Sequence, residues 1–183
     1  TIHSLREAGA SIVLCTHFGR PGGQANTEFE LTPIAERLAY LLSTKVDYVH
    51  DAPGNDARSK AAALKPGEVL LIENVRFWPG EEANHVEFAK SLAALGDVFV
   101  NDAFGTAHRA HASTEGVAHV LLGVAGLLME KEINFLGGVL ENPKRPLAAL
   151  LGGAKVSDKI KVLERLIGHA DALFVGGGMA ATF

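Results

Sequence analysis

The sequence predicts an α/β fold: a Rossmann-like parallel sheet with flanking helices, followed by the start of a second Rossmann-like domain. Three observations carry that prediction. Short runs rich in Val, Ile and Leu recur along the chain. They show little alternation, as strands covered on both faces do. Helical patterns separate them, and strands alternating with helices imply parallel pairing through right-handed crossovers.

Taken in order, the chain opens on TIHSLREAGAS, a polar helical pattern. Ser4 and Glu7 suggest a capping box there, and Gly9 a stop. The first strand is SIVLCT, 11–16, in which Cys15 reads as a buried small hydrophobe. Thr32-Pro33 supplies an N-cap and a proline at N1, opening PIAERLAYLLS. VDYVH (46–50) and VLLIENV (69–75) are the next strands. Pro79-Gly80 turns the chain, and Glu81 and Glu82 sit where a helix dipole favours acids. Val86, Ala89, Leu92 and Ala93 then make one apolar face. DVFVN, 97–101, is a strand. Over 126–141, Met129, Ile133, Leu136 and Leu140 form a helical stripe that ENPKRP breaks, which suits an interdomain connector. PLAALLG (146–152) and ALFVG (172–176) complete the strands. Between them, Val156, Ile160, Leu163 and Ile167 line one helix face. The expected organisation is a first domain over 1–124, a helix and hinge over 125–145, and the beginning of a second domain over 146–183.

Bulk properties narrow the function. The 183 residues are 48% apolar and 21% charged, ordinary for a chain with a real core. The formal net charge of −4 argues against a general binder of nucleic acid or anionic membranes. Any positive field must be local. With one cysteine, no disulfide forms within the chain, which suits a reducing compartment. No signal-peptide pattern and no run of membrane-spanning length is present. The chain lacks an initial Met and stops on GGGMAATF, so we expect it to be part of something longer.

The residues that follow the strands are the informative ones, because open parallel sheets bind ligands beyond their carboxyl ends. HFGRPGG, with His17 and Arg20, follows the first strand. RFWPGEE, with Arg76, follows VLLIENV. DAFGTAHRAH, with His108, Arg109 and His111, follows DVFVN. A metal site, a catalytic base, an anion pocket and a polar turn are all open readings of this last segment. One arginine in a loop is ordinarily solvated charge. Three strand ends of the first sheet carrying Arg, in an acidic chain, point to a small, multiply anionic ligand, since the planar guanidinium binds carboxylate and phosphate bidentately. His108 and His111 have no accompanying Cys and no HExxH pattern, so no metal ligand is assigned. The second half differs: GGAKVSDK puts glycines and a lysine at a strand-to-helix turn, suited either to a phosphate or to a tight connection. It lacks the Walker A spacing, and GGGM lacks the dinucleotide fingerprint.

HFGRP, ENVRF, NDAFGTAHRAHAS, ENPKRP, GGAKVSDKI and GGGMA occur in this order and spacing. With them the chain resembles the phosphoglycerate kinase family from its first helix to its last residue. The resemblance implies two Rossmann-like domains joined by a helix and hinge. It implies a glycolytic, reversible phosphoryl transfer between 1,3-bisphosphoglycerate and ADP, giving 3-phosphoglycerate and ATP. Carried over to this chain, His17, Phe18, Gly19, Arg20, Arg76, His108 and Arg109 are the expected substrate-binding residues. Gly153, Ala154, Lys155, Lys159, Gly176 and Gly177 are the expected nucleotide-binding residues. Lys155 and Arg109 are the expected catalytic residues, and His111 orients its loop without touching substrate. Mg²⁺ arrives with ATP or ADP, and its protein ligand lies outside this chain. The resemblance also implies a cytoplasmic, monomeric parent enzyme. Phe18 stands where the family usually has leucine, and Gly22-Gly23 replaces a turn that commonly holds lysine. The family's Arg-Val-Asp-x-Asn strand and most of its nucleotide domain have no counterpart here. The alternative is therefore a non-catalytic phosphoglycerate-binding or structural module.

Overall fold

The computed structural model describes residues 1–153 and 160–181. In chain order the elements are α1 (Ile2–Glu7), β1 (Ile12–Leu14), α2 (Thr32–Leu42), β2 (Val46–Val49), α3 (Asn55–Ala63), β3 (Val69–Ile72) and α4 (Pro79–Glu82). There follow α5 (Val86–Ala93), β4 (Val98–Asn101), β5 (Leu122–Ala125), α6 (Leu127–Glu141), β6 (Ala148–Gly152), α7 (Ile160–Ile167) and β7 (Ala172–Gly176). Every strand pair is parallel, so the fold is α/β with helical crossovers, as the buried apolar runs required. The chain forms two compact units, Thr1–Glu130 and Lys131–Phe183, and the division falls within α6.

In the first unit, β3 is the centre of a three-stranded sheet in the order β1-β3-β2. Val69 lies opposite both Ile12 and Val46, and Leu71 opposite Leu14 and Tyr48. All four β3 residues are buried, because helices cover both faces. Leu70 and Ile72 pack with Ala57 of α3, with Ala89, Leu92 and Ala93 of α5, and with Val75. Val69 packs with Ile12 and Leu42, and Leu71 with Leu31 and Ala35 near the start of α2. Burying each such aliphatic side chain contributes about 1.5–3 kcal/mol, so β3 is the anchor from which the functional loops leave.

Strand β4 pairs with β5 in a separate two-stranded sheet, Val98 opposite Leu122 and Asn101 opposite Ala125. The three Arg-bearing strand ends expected on one sheet thus lie on two. Among the described residues no strand joins β1 to β4. Cys15, one residue past β1, is exposed and not the buried hydrophobe expected, since β1 pairs with β3 on one side only.

Local details differ from expectation where packing outweighs pattern. Helix α1 begins at Ile2 with Thr1 as N-cap, so Ser4 sits inside it and forms no capping box. Ile2 and Leu5 pack on the Ile12–Leu42–Val69 cluster, which draws the helix start forward. Gly9 does end it, at φ +82°. Helix α2 starts at Thr32 itself, with Leu31 as N-cap. Helix α3 begins within the DAPGND segment, which carried no helical signal. The Asp51 carboxylate accepts from Gly54 N at 3.1 Å and Ala57 N at 3.4 Å, ordering that start from outside the helix. In α5, Ala89, Leu92 and Ala93 are buried while Val86 is exposed. On α6 Met129 is buried, whereas Ile133 and Leu136 are exposed.

The second unit holds β6 and β7 in parallel register, Ala148 opposite Ala172 and Gly152 opposite Gly176. In α7 Leu163 is buried, and Ile160 and Ile167 are exposed. Val156 lies outside the described residues. No described helix is long and apolar enough to cross a membrane.

Candidate functional site

The end of β3 organises the first unit's loops. Glu73 and Asn74 are polar yet buried, so each must find partners. The Asn74 side-chain amide donates to Phe18 O at 2.7 Å and to Phe29 O at 3.1 Å. Its carbonyl oxygen accepts from Phe18 N at 3.3 Å and from Arg76 N at 3.2 Å. One side chain thereby fastens the HFGRP loop to the strand end and starts the single 3-10 turn Val75–Phe77. Arg76 adds two more ties. Its Nη1 donates to Gly19 O at 2.7 Å, and its carbonyl accepts from Gly23 N at 3.2 Å. Gly19 is required here: its φ is +62°, and a Cβ would sit 2.3 Å from the Phe29 ring. Phe18 meets the Phe29 ring edge-on at 5.9 Å.

Glu81 closes the other side. It sits in the first turn of α4, where an acid offsets the helix dipole as expected, and its side chain is 0% exposed. The carboxylate accepts from His17 Nε2 at 2.6 Å, from Ser113 Oγ at 2.6 Å and from Ser113 N at 3.0 Å. The Glu81 carbonyl accepts from Ala112 N at 2.9 Å. The loops after β1 and β4, 64 and 32 residues away from Glu81 in sequence, are thus joined at one carboxylate. Burial pushes this carboxyl up, yet the bonds from His17 and Ser113 and the charge of His17 outweigh it and hold it below the usual glutamate range.

His111 lies against the same point. Its ring meets His17 edge-on at 5.3 Å, and its Nδ1 is buried without a hydrogen bond, 3.7 Å from Glu81 Oε1. Burial pulls its pKa down; the Glu81 charge works the other way. Its carbonyl accepts from Glu115 N at 2.8 Å and Gly116 N at 3.1 Å, and Thr114 Oγ1 bonds back to Arg109 O at 2.8 Å, which ties the 109–116 turn together.

His17, Glu81 and His111 bring their ligand atoms within 4.8 Å of one another. The 2.6 Å between His17 and Glu81 is a charge-assisted hydrogen bond length. Two ligands on one tetrahedral zinc stand about 3.4 Å apart, given bonds of about 2.1 Å. A shared proton fits this pair better than an ion.

The expected substrate residues fall into two groups. His17, Phe18, Gly19 and Arg76 are knit together as described. Arg76 is buried, and its Nε lies 3.0 Å from Glu82 Oε1 as an ion pair whose angle is not that of a hydrogen bond. Arg20 and His108 are exposed and Arg109 is half-buried. Among the described residues neither Arg20 nor Arg109 has an ion-pair partner. Asn74, Glu81 and Ser113 were not anticipated. The signal for Asn74 was available: polar residues closing an apolar strand must be bonded. Glu81 had no such signal, because its partners are remote in sequence.

In the second unit, Gly153 and Gly177 follow the paired ends of β6 and β7. Their φ values are +139° and +64°, and a Cβ on Gly177 would lie 3.8 Å from Gly153 N. Bare backbone at two adjacent strand ends suits close approach by phosphate oxygens. The described residues at these carboxyl ends, Gly152, Gly153, Gly176 and Gly177, offer no carboxylate. That donor set does not fit Mg²⁺, a hard cation held through carboxylates. Ala154, Lys155 and Lys159 lie outside the described residues.

A family model described as phosphoglycerate kinase matches residues 1–183. The phosphoglycerate kinase of Chloroflexus aggregans is 56% identical over 185 residues, covering 100% of this chain and 46% of that protein. That of Moorella thermoacetica is 55% identical over 183 residues, covering 100% of this chain and 47% of its own length. The solved structure of phosphoglycerate kinase from Coxiella burnetii superposes with a TM-score of 0.86 at 45% identity, covering 99% of this chain and 45% of that one. The enzyme from Pyrococcus horikoshii OT3 gives 0.85 at 38%, covering 100% and 48%. The chain spans about half the length of the curated relatives it matches. With parallel sheets, side-chain-knit loops after β1, β3 and β4, and a match over its whole length, the chain belongs to the phosphoglycerate kinase family.

Proposed function

We propose that this chain supplies the phosphoglycerate-binding side, and the first wall of the nucleotide site, of a glycolytic kinase. The parent enzyme moves a phosphoryl group reversibly between 1,3-bisphosphoglycerate and ADP by in-line transfer in a closed cleft. The observation that carries this reading is the joining of the HFGRP and AHRAHAS loops at Glu81, next to Arg76 and with Arg20 and Arg109 free of carboxylate partners among the described residues. Phosphoryl transfer asks for positioning and charge neutralisation and needs no nucleophilic side chain. Arg20 and Arg109 receive the carboxylate and phosphate of phosphoglycerate bidentately. Arg76 holds Gly19 O and adds positive field, and His17 and His108 supply ring N–H donors. Gly153, Ala154, Gly176 and Gly177 let backbone N–H groups approach nucleotide phosphate, with Lys159 nearby in sequence. Lys155 and Arg109 neutralise charge that develops on the moving group. Mg²⁺ would arrive with the nucleotide and neutralise part of its phosphate charge, with no ligand among the described residues. We assign the enzyme to the cytoplasm as a monomer, acting on small molecules without nucleic acid or membrane.

A second reading concerns these 183 residues by themselves, which span about half the length of the relatives: alone they form a phosphoglycerate-binding or structural module without turnover. A coupled ATP-forming assay separates the two, with no activity expected from these 183 residues alone and activity expected from a full-length protein carrying them. In that full-length protein, Arg109→Ala is expected to weaken 3-phosphoglycerate binding by about 1.5–3 kcal/mol, the scale of charged hydrogen bonds. Unchanged affinity by titration calorimetry would remove Arg109 from the site.

A further inference from the structure

We propose that Glu81 is a positioning residue for the anion site: its buried carboxylate holds His17 with Nε2 protonated and turned inward, and pins the 109–113 loop to the same point. The proposal rests on the phosphoglycerate reading above. Nothing in the sequence marked Glu81 for this, and it touches no expected ligand atom.

The geometry leaves His17 little choice. Glu81 Oε1 stands 2.6 Å from His17 Nε2 and carries no proton of its own to give while ionised. In the neutral ring or the cation alike, Nε2 therefore bears hydrogen. The remaining ring atom, Nδ1, makes no hydrogen bond among the described residues. It accepts in the neutral ring and donates in the cation. With Nε2 committed to Glu81, Nδ1 is the ring atom left for a ligand, so Glu81 decides which atom His17 presents as well as where. The same oxygen takes Ser113 Oγ at 2.6 Å, and its twin takes Ser113 N at 3.0 Å. Four residues earlier in that turn is Arg109, whose carbonyl is tied to Thr114. The two anion-facing loops thus share one internal anchor, and their spacing is set by a group that never meets the substrate.

The test uses full-length protein carrying this chain, labelled with ¹⁵N-histidine, and His17→Gln to assign the ring signals. In the unaltered protein the His17 ring is expected to carry its proton at Nε2. A ring protonated at Nδ1 alone overturns the proposal, and this reading needs no Glu81 variant to fold. Glu81→Gln is expected to mix the two His17 tautomers and to weaken 3-phosphoglycerate binding about tenfold or more, as for a lost charged hydrogen bond. Leu42→Ala, which removes packing from the separate Ile12–Leu42–Val69 cluster, serves as the stability control and is expected to keep affinity within about twofold while losing comparable stability. Unchanged affinity in Glu81→Gln, or an equal loss in Leu42→Ala, reduces Glu81 to a structural residue and overturns the proposal. Failure of the unaltered protein to bind 3-phosphoglycerate overturns the reading of the site itself, while the ring signals still decide whether Glu81 governs His17.

Discussion

The two units end their strands in opposite ways. The first fills the space beyond β1, β3 and β4 with side chains: Asn74 and Arg76 bond to loop backbone, and Glu81 bonds to His17 and Ser113. Among the described residues, the second follows β6 and β7 with Gly153 and Gly177, glycines of positive φ. Side-chain recognition needs each charged group held at a fixed place, so it requires buried partners. Backbone recognition needs the absence of Cβ atoms and little else. The first design is vulnerable at its anchors, the second at its conformations.

The sharpest way to break the comparison is at Glu81. Glu81→Ala leaves His17 Nε2 and both Ser113 donors facing a cavity, and should cost about 3–5 kcal/mol, as for loss of one partner of a buried ion pair. Urea unfolding followed by Trp78, the only tryptophan, reads this in the first unit. A change under about 1 kcal/mol would mean that water replaces the carboxylate at no cost.

Gly19→Ala ranks next. Left-handed backbone costs alanine about 1–2 kcal/mol. Overlap with the Phe29 ring adds about 1–3 kcal/mol. Gly177→Ala isolates the first of these terms, since its new methyl meets only ordinary contact at 3.8 Å. A loss of about 1–2 kcal/mol is expected there, read by hydrogen exchange at β6 and β7. Equal losses at the two glycines would erase the distinction between steric and conformational demand.

The smallest effect is on pH. His111 has a folded pKa below its ordinary 6.5, so the unfolded chain takes up a proton that the folded chain refuses. Stability therefore falls as pH drops from about 6.5 towards the folded value. Glu81 has a folded pKa below 4.5, so its contribution is complete above 4.5 and is lost as pH falls through the folded value. Melting curves should show a loss of a few degrees in two stages, and His111→Gln should remove the upper one. A single stage in both proteins would count against the burial of His111.

The six strands legible in the sequence were short runs rich in Val, Ile and Leu; β3, VLLI, is the type. β5 was missed because LGVA contains Gly and Ala, and its pairing with β4 supplies what its composition lacks. α3 was missed because NDARSKAAA has almost no apolar face; Asp51 starts it and Ala57 alone is buried beneath it. The arginines of the site were legible from position, as residues after strand ends. Their supports were not. Asn74 acts within the loop it follows and could have been inferred from burial, but Glu81 gathers partners from two distant segments, and only the folded chain brings those together.

Asn74 carries a chemical consequence of its own. Hydrolysis of its amide would leave a carboxylate at a point where Phe18 and Phe29 present carbonyl oxygens. Two accepted hydrogens would become two repulsions, and the HFGRP loop would lose its fastening without any change in the sequence as encoded. The folded chain guards against this ageing, because Asn74 is 0% exposed to water. Each unfolding removes the guard, so the working lifetime of the loop is tied to how rarely β3 comes apart.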